Sequence, residues 1–174
     1  MLTIGQTIPA INVEALTPQG DYRIINLGEQ RSRWKVLFFW QWDFTFTCLM
    51  NIRAYHDLVR QFTESDAILL GASVDSVYAH RAWTTNGLGK IGFPLIGDAT
   101  RQLARRFGVL SGEEGMAEYA TFIIDPNGQV AGVSTNPMNV SHSAREALHM
   151  LRMIQTGRDA GHDQPSSLPY GRVA

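Results

Sequence analysis

The chain has 174 residues, enough for one domain with a full core. Its 15 Lys and Arg balance 16 Asp and Glu, with no basic stripe for nucleic acid and no acidic block that would read as a disordered tail. Apolar runs of five or six residues are too short for a membrane span, and a single cysteine excludes an internal disulfide or a multi-cysteine zinc site. The opening MLTIGQTIPAINVEAL has no basic n-region followed by a long apolar core, so no signal peptide is expected and a cytoplasmic location is the default. KVLFFW (35–40) is a continuous apolar run, as in a strand buried on both faces. Ile52, Tyr55, Leu58, Val59 and Phe62 then recur at spacings of three and four, which predicts an amphipathic helix from about Thr47 to Thr63.

AILLGASVD (67–75) predicts a second buried strand, SVYAHRAWTTN a short helix, and FPLIGD (93–98) a brief extended segment. TRQLARRFGV reads as a helix with Thr100 as N-cap, stopped at Gly108. YATFIID and QVAGVSTN flank Pro-Asn-Gly at 126–128, a hairpin signal. Ala144, Ala147, Leu148, Leu151 and Ile154 mark a last amphipathic helix ending near Gly157. The expected organisation is one domain over 1–157 and a Gly-, Pro- and Ser-rich flexible arm over 158–174. Alternation of strands and helices indicates an α/β sheet with helices on both faces.

Cys48 falls where a central strand gives way to a helix, the place where open α/β sheets carry their functional crevice. The first helical turn offers unsatisfied N–H groups and a positive dipole end, both of which favour a thiolate. Thr45 and Thr47 can hydrogen-bond the sulfur or cap the helix. Position alone leaves two readings, a reactive thiol and a buried structural cysteine.

The stretch DFTFTC (43–48) closely resembles the peroxidatic loop of the alkyl hydroperoxide reductase C-type, typical two-cysteine peroxiredoxins, in which Asp-Phe-Thr-Phe-Val-Cys is usual. LTIGQTIPAINVEAL, GASVDSVYAHRAW, FPLIGDATRQLARRFGVL and EEGMAEYATFIIDPNGQV are similar to further family segments, in register over residues 2 to about 155. The resemblance implies a thioredoxin-like fold of peroxiredoxin type, a central mixed sheet with helices on both faces and an N-terminal extension. It implies that Cys48 attacks the peroxide O–O bond as a thiolate and becomes a sulfenic acid, with Thr45 bridging peroxide and sulfur. It also implies a homodimer; the family's further assembly, a ring of dimers, is less expected, because ring contacts lie around the peroxidatic loop and that loop's flanks are altered here.

Departures from the family pattern cluster at the site. The motif proline is Gln41, the arginine before TFIID is Tyr119, the glutamate three residues after the cysteine is Asn51, and the late Gly-Arg pair is Ser141-His142. The C-terminal resolving cysteine is absent. Gln41 brings a polar amide where proline would shield the site, and Tyr119, neutral at pH 7, supplies one hydrogen bond and no fixed charge. A sulfenic acid on Cys48 would need an external thiol or a thioredoxin-like reductant. The leading expectation is a weak one-cysteine peroxidase acting on hydrogen peroxide or organic hydroperoxides. Two alternatives stay open: an enzyme repurposed for another small molecule through Gln41 and Tyr119, and a non-catalytic oligomeric homologue.

Other residues carry plainer readings. His56 and His80 are expected to be surface or packing residues, and Trp40, Trp42, Phe44 and Phe46 to be core and subunit contact rather than a ligand box. Glu113 and Glu114 beside Gly112 and Gly115 read as a solvated turn. The five histidines show no i,i+4 pairing, so no metal site is expected, and no cofactor is expected either.

Overall fold

The computed structural model describes residues 1–28, 32–111, 115–136 and 143–160. The arm from 161 onward, the Glu113–Glu114 turn and the Ser141-His142 pair lie outside the described residues. Seven strands form one mixed sheet in the order β2-β1-β5-β4-β3-β6-β7. They are β1 (Asn12–Leu16), β2 (Tyr22–Asn26), β3 (Trp34–Phe39), β4 (Ala67–Ser73), β5 (Leu95–Gly97), β6 (Tyr119–Ile124) and β7 (Val130–Asn136). β3 runs parallel to β4 and antiparallel to β6, so both its edges are paired and all six of its residues are buried. That position explains a run without polar alternation. β4 and β5 are also parallel, whereas β1, β2 and β7 join antiparallel.

Helices cover both faces, as the alternating order predicts. Trp34, Val36, Phe38 and Trp40 point into one apolar layer, with α1 (Phe46–Asp57), α2 (Val59–Glu64) and α5 (Ala144–Ala160) contributing Ile52, Tyr55, Phe62, Leu148 and Leu151. Leu37 and Phe39 point into the other, which α4 (Gln102–Phe107) and the N-terminal segment fill with Leu103, Ala104, Phe107, Ile8 and Ile11. α3 (Val77–Trp83) packs against β1 and β5, with Ser76 accepting from the N–H of Ala79 as its cap. Among the described residues no helix is long and apolar enough to cross a membrane.

The structure corrects several local expectations. The helix expected over 47–63 is two helices broken at Leu58, whose ψ of 1° leaves the helical region. Thr100 does not cap α4. Asp98 does so from two residues further back, accepting from the N–H groups of Leu103 (3.0 Å) and Ala104 (2.8 Å), with Arg101 in the left-handed region to make the turn. Gly108 ends α4 with a φ of +70°, a conformation that favours glycine. α5 continues three residues past Gly157, to Ala160. The hairpin at Pro-Asn-Gly forms as expected; Asp125 accepts from the N–H groups of Asn127 and Gln129, and Arg158 pairs with the buried carboxylate at 2.7 Å. The N-terminal hairpin β1–β2 adds two strands that the residue pattern alone did not suggest, because β2 is half-buried at most and carries no clean alternation.

Candidate active site

The site is built where β3 ends and α1 begins. Trp40 continues β3 into the core, and the chain then turns outward through Gln41 and Trp42 before Asp43 points back inward. Phe44 adopts φ +60°, a left-handed conformation that costs a non-glycine residue about 1–2 kcal/mol. This turn presents Thr45 as the N-cap of α1, its Oγ1 accepting from the Cys48 N–H at 3.3 Å. The hydroxyl also lies 3.5 Å from the Trp42 carbonyl, at the limit of a hydrogen bond, so it can turn toward a ligand at little cost. Of the two roles open to this hydroxyl, capping is the one the structure shows.

Cys48 sits in the first turn of α1 and is 1% exposed. Its Sγ lies 3.3 Å from the Oη of Tyr119, a buried residue at the start of β6. Burial, then the hydrogen bond to Cys48 and the charge of its thiolate, push the Tyr119 phenol above its ordinary value near 10, so it stays protonated at neutral pH and donates to the sulfur when that is ionised. The dipole end of α1 adds about 0.3–1 kcal/mol in favour of an anion here. The structure thus unites Cys48, Thr45 and Tyr119, the hydroxyls being the groups that hydrogen-bond Cys48, neither of them charged. Gln41 is half-buried in the loop that enters α1.

Beneath the loop lies a polar network that sequence reasoning missed. His80 is fully buried, with Nδ1 2.6 Å from Asp43 Oδ2 and Nε2 3.0 Å from the Ile96 carbonyl. A carbonyl only accepts, so Nε2 carries a proton, and a further single proton lies between Nδ1 and the carboxylate. Asp43 Oδ1 accepts from Trp40 Nε1 at 3.0 Å, and the Asp43 N–H donates to Asp75 Oδ2 at 2.8 Å. Burial pushes the Asp75 carboxyl up, and the Asp43 N–H partly offsets it. His80 is therefore more than a packing residue: it ties α3 and β5 to the loop that carries the thiol. No spacing signalled this, since the partners stand 37 residues apart. His56, half-buried, accepts from the Gly92 N–H at 3.0 Å.

The aromatic cluster divides. Trp40 is core, whereas Trp42, Phe44 and Phe46 are exposed, Phe46 by 78%. Only Trp40 of the four fits the expected core role.

Comparison with known proteins places the chain by family and fold. The family model described as the AhpC/TSA family matches residues 4–133. The protein from Mycobacterium tuberculosis named alkyl hydroperoxide reductase C is 37% identical over 169 residues, covering 90% of this chain and 86% of that protein. A thioredoxin peroxidase of Trypanosoma brucei rhodesiense is 33% identical over 173 residues, covering 97% and 87%. Among solved structures, Enterococcus faecalis AhpC superposes with a TM-score of 0.89 at 29% identity, covering 96% of this chain and all of that one. The mixed sheet and the helices on both faces accord with these matches, and the chain belongs to the AhpC/TSA family of peroxiredoxins.

Proposed function

We propose that this chain is a thiol-dependent peroxidase of one-cysteine type. The observation that supports it most is the placement of Cys48 Sγ in the capped first turn of α1, 3.3 Å from the Tyr119 hydroxyl. In the reaction, the Cys48 thiolate attacks one oxygen of a hydroperoxide. An S–O bond forms, the O–O bond breaks, and the departing alkoxide or hydroxide takes up a proton to leave as an alcohol or water. Cys48 becomes a sulfenic acid. Thr45 bridges sulfur and peroxide, while Gln41 and Tyr119 contact the substrate oxygens. An external thiol then condenses with the sulfenic acid, releasing water, and a second thiol frees Cys48 from the mixed disulfide. A thioredoxin-like protein or a small thiol fills that role, and the relative named thioredoxin peroxidase favours the former. We place the enzyme in the cytoplasm.

With one thiol in the chain, intrachain disulfide formation is impossible. Mild peroxide is expected to leave a sulfenic acid that a 1,3-dione probe traps on Cys48, seen as a mass shift on the intact protein, with overoxidised sulfinic acid at higher peroxide. Because the sulfur is buried, non-reducing gels should show little covalent dimer. Rapid and complete covalent dimerisation, or no adduct on Cys48, would contradict the reading.

We further propose that the chain works as a homodimer that can assemble into rings. Trp42, Phe44, Phe46 and Met50 leave apolar surface exposed around the loop, as a subunit contact would require. Size-exclusion chromatography with light scattering is expected to give at least a dimer. A monomer at micromolar concentration would remove the proposal.

A further inference from the structure

On the buried stripe of α1, formed by Cys48, Asn51, Ile52 and Tyr55, two polar groups meet β6 through hydrogen bonds. Cys48 Sγ pairs with Tyr119 Oη at 3.3 Å, and Tyr55 Oη with Thr121 Oγ1 at 3.1 Å. Tyr119 and Thr121 are alternate residues of one strand and face the same way. Asn51 stands between these two rungs, one helical turn beyond the sulfur. It is only 7% exposed, and its Nδ2 has no hydrogen-bond partner among the described residues. A buried amide donor without an acceptor is costly, and such groups in native proteins call for an explanation, a catalytic role among them.

We propose that the Asn51 amide is a further oxygen-binding donor of the active site, which takes the oxygen that departs from an uncharged hydroperoxide. This inference rests on the peroxidase reading and deepens it. As the Cys48 thiolate forms its bond to the near oxygen and the O–O bond breaks, the electron pair moves to the far oxygen. The Asn51 N–H donates to that oxygen while Tyr119 donates on the sulfur side, and the oxygen leaves after taking a proton from solvent. Neither donor is charged, so a neutral substrate enters without competition from a fixed positive charge for anions. An amide at this buried position supplies a donor beside Tyr119 without burying a charge.

The experiment compares wild type with Asn51→Leu, which keeps the branched shape and removes the donor. Two second-order rates are followed: oxidation of Cys48 by hydrogen peroxide, and its alkylation by iodoacetamide. Both need the thiolate, but alkylation expels iodide and places no charge on an oxygen. The expected result is a loss of at least about tenfold with peroxide, a positioned donor being worth ~10²–10³ in rate in a comparable oxyanion site, with alkylation within about twofold of wild type. If Asn51→Leu does not fold, Asn51→Ala serves the same comparison. A peroxide rate within twofold of wild type would overturn the assignment, as would peroxide and alkylation rates that fall together. A wild type that alkylates but ignores peroxide would sink the peroxidase reading itself, a different outcome from a reactive wild type indifferent to Asn51.

Discussion

Tyr119→Arg is expected to raise the rate of peroxide reduction about 10²-fold while lowering the stability of the protein. Tyr119 meets the sulfur with a single neutral hydroxyl. A guanidinium at the same place on β6 has five donors in a fixed fork and a permanent charge, which favours the thiolate and holds the oxygen on which charge develops. The penalty lies in burial. Position 119 is 1% exposed, and Asn51 offers no carboxylate to pair with the new charge. An uncompensated buried ion costs several kcal/mol, so the melting temperature should fall by several degrees. Gln41→Pro, added to Tyr119→Arg, replaces a polar amide in the loop with an apolar ring that shields the site from water, and should raise the rate further. Asn51→Glu, added instead, should recover part of the stability. Peroxide kinetics and thermal melts of the variants check these outcomes. Activity that Tyr119→Arg and the double variant leave unchanged would show that the neutral site is not what limits the rate.

The second large effect is on folding. His80→Leu removes the partner of a buried carboxylate, and breaking such a pair from one side costs about 3–5 kcal/mol, or roughly 6–20 °C in melting temperature for a chain of this size. Asp43→Asn should be far milder, at about 1 kcal/mol. Its amide oxygen can still accept from Trp40 Nε1, and its NH₂ can donate to His80 Nδ1 while Nε2 keeps its bond to the Ile96 carbonyl. The double variant His80→Leu with Asp43→Asn should therefore be more stable than His80→Leu alone, since no unpaired charge is left behind. Denaturant titration of the three variants measures the coupling directly. A loss below about 1 kcal/mol in His80→Leu would mean that the pair does not anchor the loop.

What the sequence disclosed about this molecule follows the range of the interactions involved. The placement of Cys48 and Thr45 was legible because it is local: a strand end, a cap and a first turn lie within a few residues of one another. β3, β4 and the β6–β7 hairpin were legible because burial on both faces, or a Pro-Asn-Gly turn, leaves a continuous mark on composition. The role of His80 was hidden, since a lone histidine on a helix looks the same whether it faces water or a carboxylate on a distant loop. Asp98 as the cap of α4 was hidden for a related reason. It acts across a left-handed Arg101 that no propensity anticipates, and Thr100 stood at the more obvious place. The outward placement of Trp42, Phe44 and Phe46 depends on the positive φ at Phe44, and aromatic residues read as core until that turn is known. Asn51 was visible as a departure from the pattern that the resemblance implies, but its unpaired amide is a property of packing alone.

The central claim is that Cys48 reduces peroxide. Its most direct measurement is peroxide consumption by the pure protein with dithiothreitol as reductant, set beside the Cys48→Ser variant at equal concentration. The account predicts steady turnover by the wild type well above the rate of dithiothreitol alone, and none above that rate in Cys48→Ser. Equal rates in the two proteins would contradict it.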